Sequence, residues 1–249
     1  MSPSRPPLTL RLATFNFLGG GSARRSAHWS MLREQVRPDL LLTQESRPPP
    51  ADAGSSATAL WTEASRGWGT GLYAPKLVVK PVAVEGFAGW VTGGRLASAR
   101  LSRRPLWVFS IHCPFGKRGY LQTIHEILDR LQAMAGKSDL ILGGDFNVAA
   151  GLRGPDDLVK MSKPERAVLT RLLDEFKLIP CWQTAHPGRP LAQTLRWAGN
   201  RATPYHCDGI FIPRSWKDRL VSCEVISGPG WEALSDHNPV LAVLGLLSR

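Results

Sequence analysis

Two polar insertions into apolar runs are the first sign of chemistry. One is Asp145 with Asn147, which follow Leu140, Ile141, Leu142 and the pair Gly143-Gly144. Residues two apart in an extended strand point to one face. Both side chains are therefore expected to project together from the end of a buried strand, where open α/β sheets hold their ligands. An Asx turn closing the strand explains the pair equally well when it is taken alone. The other insertion is Asp208, just before the apolar stretch Gly209-Ile210-Phe211-Ile212. A carboxylate buried there is costly unless it is paired or hydrogen-bonded. A histidine or a metal ion would satisfy it, and His237 is a candidate.

Asn16, Glu45, His112 and the pair Asp236-His237 end apolar runs in the same way. Each has an ordinary alternative. Asn16 suits a turn cap, Glu45 a solvated loop, His112 a satisfied core histidine, and Asp236-His237 the turn before a last strand.

The elements that must position these residues follow from periodicity and punctuation. Residues 8–17 alternate and read as a strand ending at Asn16. Residues 22–36 read as a helix with Trp29, Leu32 and Val36 on one face, closed by Pro38. Residues 39–43 form a second buried strand that delivers Gln44-Glu45. Strand, helix, strand implies a crossover unit. Residues 47–56 are rich in Pro, Ala and Ser and read as a surface loop. From 60 to 101 only short strands are expected, at 72–73, 77–84, 90–92 and 96–101. Residues 106–111 form a stronger strand delivering His112. Residues 119–135 carry the clearest helical stripe: Leu121, Ile124, Leu128, Leu131 and Ala135. After an irregular loop at 151–163, Ser162 and Glu165 have capping-box spacing, with Pro164 in the first turn. Residues 193–197, 207–212, 220–226 and 240–246 read as closing strands. One domain, 8–249, is expected behind a frayed segment, 1–7.

The chain has 249 residues, with 31 Lys plus Arg against 20 Asp plus Glu, a net charge of +11. That excess suits a polyanionic partner, although the cations are scattered and an Arg-rich composition alone explains them equally well. The four cysteines have no C-x-x-C spacing, which argues against a zinc site or a disulfide framework. Reduced thiols and a poor match to a signal peptide point to the cytoplasm. No apolar run reaches the ~20 residues of a membrane span, so no stable membrane association is expected.

Thr14-Phe15-Asn16, Gln44-Glu45, Gly144-Asp145-Phe146-Asn147 and Ser235-Asp236-His237-Asn238-Pro239 occur in that order. The set resembles the endonuclease/exonuclease/phosphatase superfamily, which includes deoxyribonuclease I-like nucleases, apurinic/apyrimidinic endonucleases, inositol polyphosphate 5-phosphatases and neutral sphingomyelinases. The resemblance runs from about Leu10 to Val243. It implies an α/β fold, a four-layer α/β/β/α sandwich of two packed mixed β-sheets flanked by helices. It also implies hydrolysis of a phosphate ester with a divalent cation, Mg²⁺ first and Mn²⁺ as a substitute, held by hard oxygen ligands.

Carried over motif by motif, the resemblance assigns Glu45, Asn16 and Asp236 to the metal. It assigns Asp145 to orienting the attacking water and Asn147 to a phosphate oxygen. His237, held by Asp208, would stabilise charge on the phosphoryl group, and His112 matches a strand-end histidine of some branches. Phosphoryl transfer needs charge stabilisation on its equatorial oxygens and an in-line water. Weaker matches for substrate contact are Thr194, Trp197, Arg118 and Tyr120. Three positions depart from the pattern. Leu18 stands where some members carry a second metal acid, His206 where many carry an arginine, and Leu195 where several have tryptophan. The expected function is a nuclease, with DNA as the expected substrate and Arg24, Arg25, Lys117, Arg118, Arg196 and Arg201 facing phosphates. The alternatives are a phosphatase or phospholipid phosphodiesterase with the same site, and a non-catalytic nucleic-acid-binding protein on this scaffold.

Overall fold

The computed structural model describes residues 8–19, 22–50, 58–151 and 161–247. The expectations for residues 1–7, for the side chains of Arg24 and Arg25, and for most of 151–163 lie outside that set. Among the described residues, twelve strands build two six-stranded sheets. The first runs β11 (Leu220–Val225), β12 (Val240–Gly245), β1 (Thr9–Asn16), β2 (Leu40–Ser46), β4 (Trp68–Ala74), β3 (Thr58–Ser65). The second runs β5 (Val79–Val82), β6 (Val91–Leu96), β7 (Leu106–His112), β8 (Asp139–Asp145), β10 (Asp208–Pro213), β9 (Leu178–Pro180). Each sheet is mixed, because one central pair is parallel: β1 with β2, and β7 with β8. A parallel pair needs a crossover, supplied by helices α1 (Ser22–Met31) and α2 (Gly119–Ala135).

Strand alternation sorts the core into layers. Leu10 and Leu12 of β1, Leu40 and Leu42 of β2, Val108 of β7, Ile141 of β8 and Ile210 and Ile212 of β10 pack between the sheets. The opposite faces carry Ala13, Phe15 and Leu41 against Trp29 and Leu32 on one side. On the other, Phe109, Ile111 and Leu142 pack against Ile124, Leu128 and Leu131. The result is the α/β/β/α sandwich. Helix α3 (Lys163–Thr170) has the expected box: Ser162 Oγ accepts from the Glu165 N–H at 3.3 Å, and Glu165 Oε2 accepts from the Ser162 N–H at 3.0 Å. Both α1 and α3 continue into one π-helical turn, Leu32–Val36 and Arg171–Glu175.

Some expectations fail for physical reasons. Strand β3 gives no sequence signal because it is an edge strand with only intermediate or exposed positions. Residues 97–101 turn instead of pairing. The expected strand at 193–197 contracts to bridges at Leu195. Two short helices, α4 (Cys181–Ala185) and α5 (Pro229–Leu234), have too few residues to show a period. Among the described residues no helix is long and apolar enough to cross a membrane. All four cysteines are free and buried.

Candidate active site

The alternation that buries the leucines between the sheets continues into a polar layer at one end. Thr14 and Asn16 share the inward face of β1 with Leu10 and Leu12; Gln44 follows Leu40 and Leu42; Ser110 and His112 follow Val108; Asp145 shares parity with Ile141, and Asp208 with Ile210. Register then gathers them. His112 and Asp208 are the Cα partners of Asp145 on its two sides, and Asn16 is the partner of Gln44. Below the site the polar layer is internally satisfied. Thr14 Oγ1 donates to Gln44 Oε1 at 3.1 Å, and Gln44 Nε2 donates to Ser110 Oγ at 2.9 Å.

Glu45 reaches this face against the alternation, since its neighbour Gln44 already points inward. The β2–β4 register shifts between Thr43 and Ser46, and Glu45 has φ 47°. A bulge with a left-handed residue re-aims a side chain at a strand end. Burial pushes the Glu45 carboxyl above its ordinary range, against the lowering by the Asn16 hydrogen bond and the charge of His237.

Asn16 joins the two carboxylates: its Nδ2 donates to Glu45 Oε1 at 3.2 Å and to Asp145 Oδ2 at 3.0 Å, while its Oδ1 accepts from the Leu18 N–H at 2.9 Å. Its oxygen is thus engaged by the backbone, while its amide nitrogen bridges the two carboxylates. Asp145 Oδ1 accepts from the Asn147 N–H at 2.9 Å. The extended geometry expected through Asn147 does not persist, because β8 ends at Asp145 and Asn147 has φ 52°. The Asx turn and the site are the same structure. Asn147 Nδ2 donates to the Cys113 carbonyl at 2.9 Å.

His237 Nδ1 bonds the Asp208 carboxylate at 2.9 and 3.1 Å. Its Nε2 lies 3.8 Å from Asp145 Oδ2 and 3.8 Å from Asp236 Oδ1. Burial opposes charging this ring, but Asp208, Asp145 and Asp236 outweigh it and raise the pKa to about 10. His112 behaves oppositely. Its ring sits against Trp68 and Trp90, with centroids 5.6 and 5.3 Å away, and burial lowers its pKa despite Asp145. Its Nε2 is 3.6 Å from Glu45 Oε1 and 3.9 Å from Asp145 Oδ2. The two histidines that flank Asp145 are thus shifted in opposite directions.

A divalent cation is tested by the donor set. Asp236 Oδ1 is buried and has no hydrogen-bond partner, and Glu45 is a carboxylate held in a desolvated position. Both are hard oxygen donors, and a hard cation would satisfy both. Cys207, Asp208 and His237 also cluster within 4.8 Å. There, however, the Cys207 thiol donates to Asp208 at 3.6 Å and is pushed up by burial, and His237 Nδ1 bonds the same carboxylate. Protons, not a metal, satisfy Asp208.

The weaker expectations separate. Thr194 is fully buried, and its Oγ1 accepts from the Cys207 and Asp208 N–H groups at 3.1 Å each. It holds the Asp208 backbone and has no exposed surface. Arg196, expected among the loop cations facing phosphates, is 8 % exposed and bonded to the loop carrying Asp236 and His237; sequence offered no sign of this. Trp197 is 52 % exposed, edge-on to Tyr205. Arg118 is exposed and pairs with Glu126 at 3.0 Å. Tyr120 is half-buried, its phenol raised by burial and then by Asp145, and it packs edge-on against exposed Phe115. His206 is buried, with Nδ1 at 2.7 Å from the Ala192 carbonyl.

Two packed mixed sheets with a carboxylate, amide and histidine cluster at one shared end define an α/β/β/α sandwich with a polar site at its edge. The family model described as the Endonuclease/Exonuclease/phosphatase family matches residues 13–237, and the chain belongs to that family. No curated protein matches it by sequence. Among solved structures it is similar to an AP endonuclease from Archaeoglobus fulgidus, with 22 % identity, TM-score 0.70, and 94 % of this chain and 99 % of that one covered. It is also similar to the AP endonuclease LMAP from Leishmania major, at 17 % identity, TM-score 0.71 and coverage of 98 % and 89 %. The endonuclease domain of TRAS1, a telomere-specific non-LTR retrotransposon, gives 15 %, 0.68, and 96 % and 99 %. At these identities the likeness is one of fold.

Proposed function

We propose that this protein is a divalent-metal-dependent nuclease that hydrolyses phosphodiesters of DNA by in-line attack of water. The observation that carries the reading is the convergence on Asp145. Asn16 and Asn147 orient its carboxylate, and a charged His237 and a neutral His112 lie within 4 Å of it. Glu45 and Asp236 would hold the cation, which when bound supplies Lewis-acid neutralisation of phosphate charge. Asp145 orients the water and accepts its proton. His237, charged at neutral pH through Asp208, stabilises the equatorial phosphoryl oxygens. Neutral His112 is placed to hydrogen-bond the phosphate without adding charge. DNA as substrate is supported by the net charge of +11, by exposed Lys117 and Arg201 in loops next to the site, and by exposed Trp197, on which a base can stack. The AP endonuclease and retrotransposon endonuclease neighbours are consistent with it.

The test is incubation of the protein and its Asp145→Ala variant with plasmid, single-stranded and abasic DNA in Mg²⁺, Mn²⁺ or EDTA across a salt series. Metal-dependent cleavage that is lost in the variant and fades with salt is expected. Absence of cleavage on all three substrates sinks the reading and turns the search to phosphoinositides and phospholipids.

A further inference from the structure

Among the described residues, Arg196 is a buried cation with no carboxylate in direct contact. Four consecutive residues of one loop accept its Nη and backbone N–H bonds instead, while the buried Nε has no hydrogen-bond partner. Nη1 donates to Asn238 Oδ1 at 2.5 Å; Nη2 donates to the Ser235 carbonyl at 2.7 Å and the His237 carbonyl at 3.4 Å; the backbone N–H donates to the Asp236 carbonyl at 2.8 Å. The attachment is reciprocal. The Asn238 N–H donates to the Thr194 carbonyl at 2.7 Å, and Asn238 Nδ2 to the Gln193 carbonyl at 3.0 Å. Two residues back from Arg196, Thr194 Oγ1 holds the backbone of Asp208. The four residues 193–196 thus tie Asp208, at the start of β10 in the second sheet, to the loop before β12 in the first. The Asp208–His237 pair spans that junction.

A buried guanidinium bears a desolvation cost that an apolar side chain of the same volume does not. Burial accordingly pulls Arg196 below its ordinary pKa, against Glu232 and Asp236. Backbone carbonyls repay that cost only in part, so packing alone is a poor account of an arginine here. What the guanidinium does that an apolar residue cannot is fix three acceptors of one loop at once in a planar fork.

We propose that Arg196 is a positioning residue, which clamps the 235–238 loop so that Asp236 and His237 keep their places beside Glu45 and Asp145. This rests on reading the site as a metal-dependent phosphodiesterase. An outer hydrogen-bond partner of a metal or catalytic group is worth about 10–100-fold in affinity or activity, and a displacement of about 1 Å costs about 10²-fold in rate.

The test compares Arg196→Met, which retains length without donors, Arg196→Lys, which retains charge without the fork, and Arg196→Ala with and without added guanidinium ion at non-denaturing concentration. The readouts are kcat and KM on a DNA oligonucleotide and, without DNA, Mn²⁺ affinity by electron paramagnetic resonance. Arg196→Met is expected to lower kcat about 10–100-fold with KM within about threefold, and to weaken Mn²⁺ binding about tenfold. Arg196→Lys falls between, and guanidinium restores part of the Arg196→Ala loss. Asn238→Ala, which removes one acceptor and leaves the arginine, moves the same readouts the same way if Arg196→Met does not fold. A folded Arg196→Met with kcat and Mn²⁺ affinity within twofold of wild type overturns the proposal. So does a change confined to KM, which would place Arg196 on substrate. Wild type that binds Mn²⁺ but cleaves no DNA fails the nuclease reading alone, and the Mn²⁺ comparison then decides Arg196. Wild type that binds no Mn²⁺ overturns both.

Discussion

Replacing Asp208 with Asn keeps the size of the side chain and removes the charge that makes His237 an imidazolium. The ring sits at about 10 in the folded protein against an ordinary 6.5. That gap corresponds to about 5 kcal/mol in favour of the charged form, at about 1.4 kcal/mol per pKa unit. Burial pulls the ring's pKa down, and Asp208 is the largest influence raising it, so without Asp208 most of that elevation is lost and an ordinary imidazole is the reference for the variant. At pH 8 about 99 % of wild-type rings carry a proton, against about 3 % for a ring of ordinary pKa, a difference of roughly thirtyfold. At pH 6 most rings are charged in either protein. The kcat/KM of Asp208→Asn relative to wild type is therefore expected to fall by roughly 25-fold between pH 6 and 8, beyond any constant loss from geometry. The assay is initial-rate cleavage across pH 6–9 at saturating Mg²⁺. A deficit that stays constant over that range refutes the assignment of His237 as the charged group. Stability carries the same signature. Because the folded pKa is raised, the contribution of His237 is complete below pH 6.5 and is lost as pH rises from there through about 10. Urea unfolding should show this decline in the wild type and a much flatter profile in Asp208→Asn.

Glu45→Gln should remove metal-dependent turnover by about 10²-fold or more while leaving unfolding stability unchanged or slightly raised, because it relieves a desolvated carboxyl; a Mg²⁺ titration and a urea curve measure the two. Lys117→Ala and Arg201→Ala should each flatten the log K against log salt plot for duplex DNA by ~0.9 if each meets one phosphate, and an unchanged slope removes that residue from the interface. Gly144 has φ 147°, and a Cβ there would stand 1.9 Å from the Ile111 carbonyl oxygen of the neighbouring strand. Gly144→Ala should therefore cost more than about 2 kcal/mol in a urea titration and disturb the His112–Asp145 pairing beside it.

The parts of this protein legible from sequence were those set by local pattern. Alternation in residues 8–17 and 106–111, the 3.6-residue stripe of 119–135 and the Ser162–Glu165 box depend only on neighbours in the chain, and all four elements formed as expected. Edge strand β3 was silent because no face of it is fully buried, so no alternation was imposed. Asp208 was suspected because a carboxylate in an apolar run demands a partner, and His237 answered it at 2.9 Å. The order of motifs named the family: three of them lie at the ends of β1, β2 and β8, and the fourth leads into β12.

Tertiary structure decided the rest, because it depends on contacts between residues far apart in the chain. Register across β7, β8 and β10 put His112 and Asp208 on either side of Asp145. A bulge turned Glu45 onto a face that alternation had denied it. The opposite pKa shifts of His112 and His237, two similar residues in sequence, follow from two indoles around one and a buried aspartate behind the other. Arg196 reads as a solvated loop cation in one dimension. It becomes a buried hydrogen-bonding hub only when residues 235–238 fold back over it, and packing against distant partners is the one quantity that no local pattern encodes.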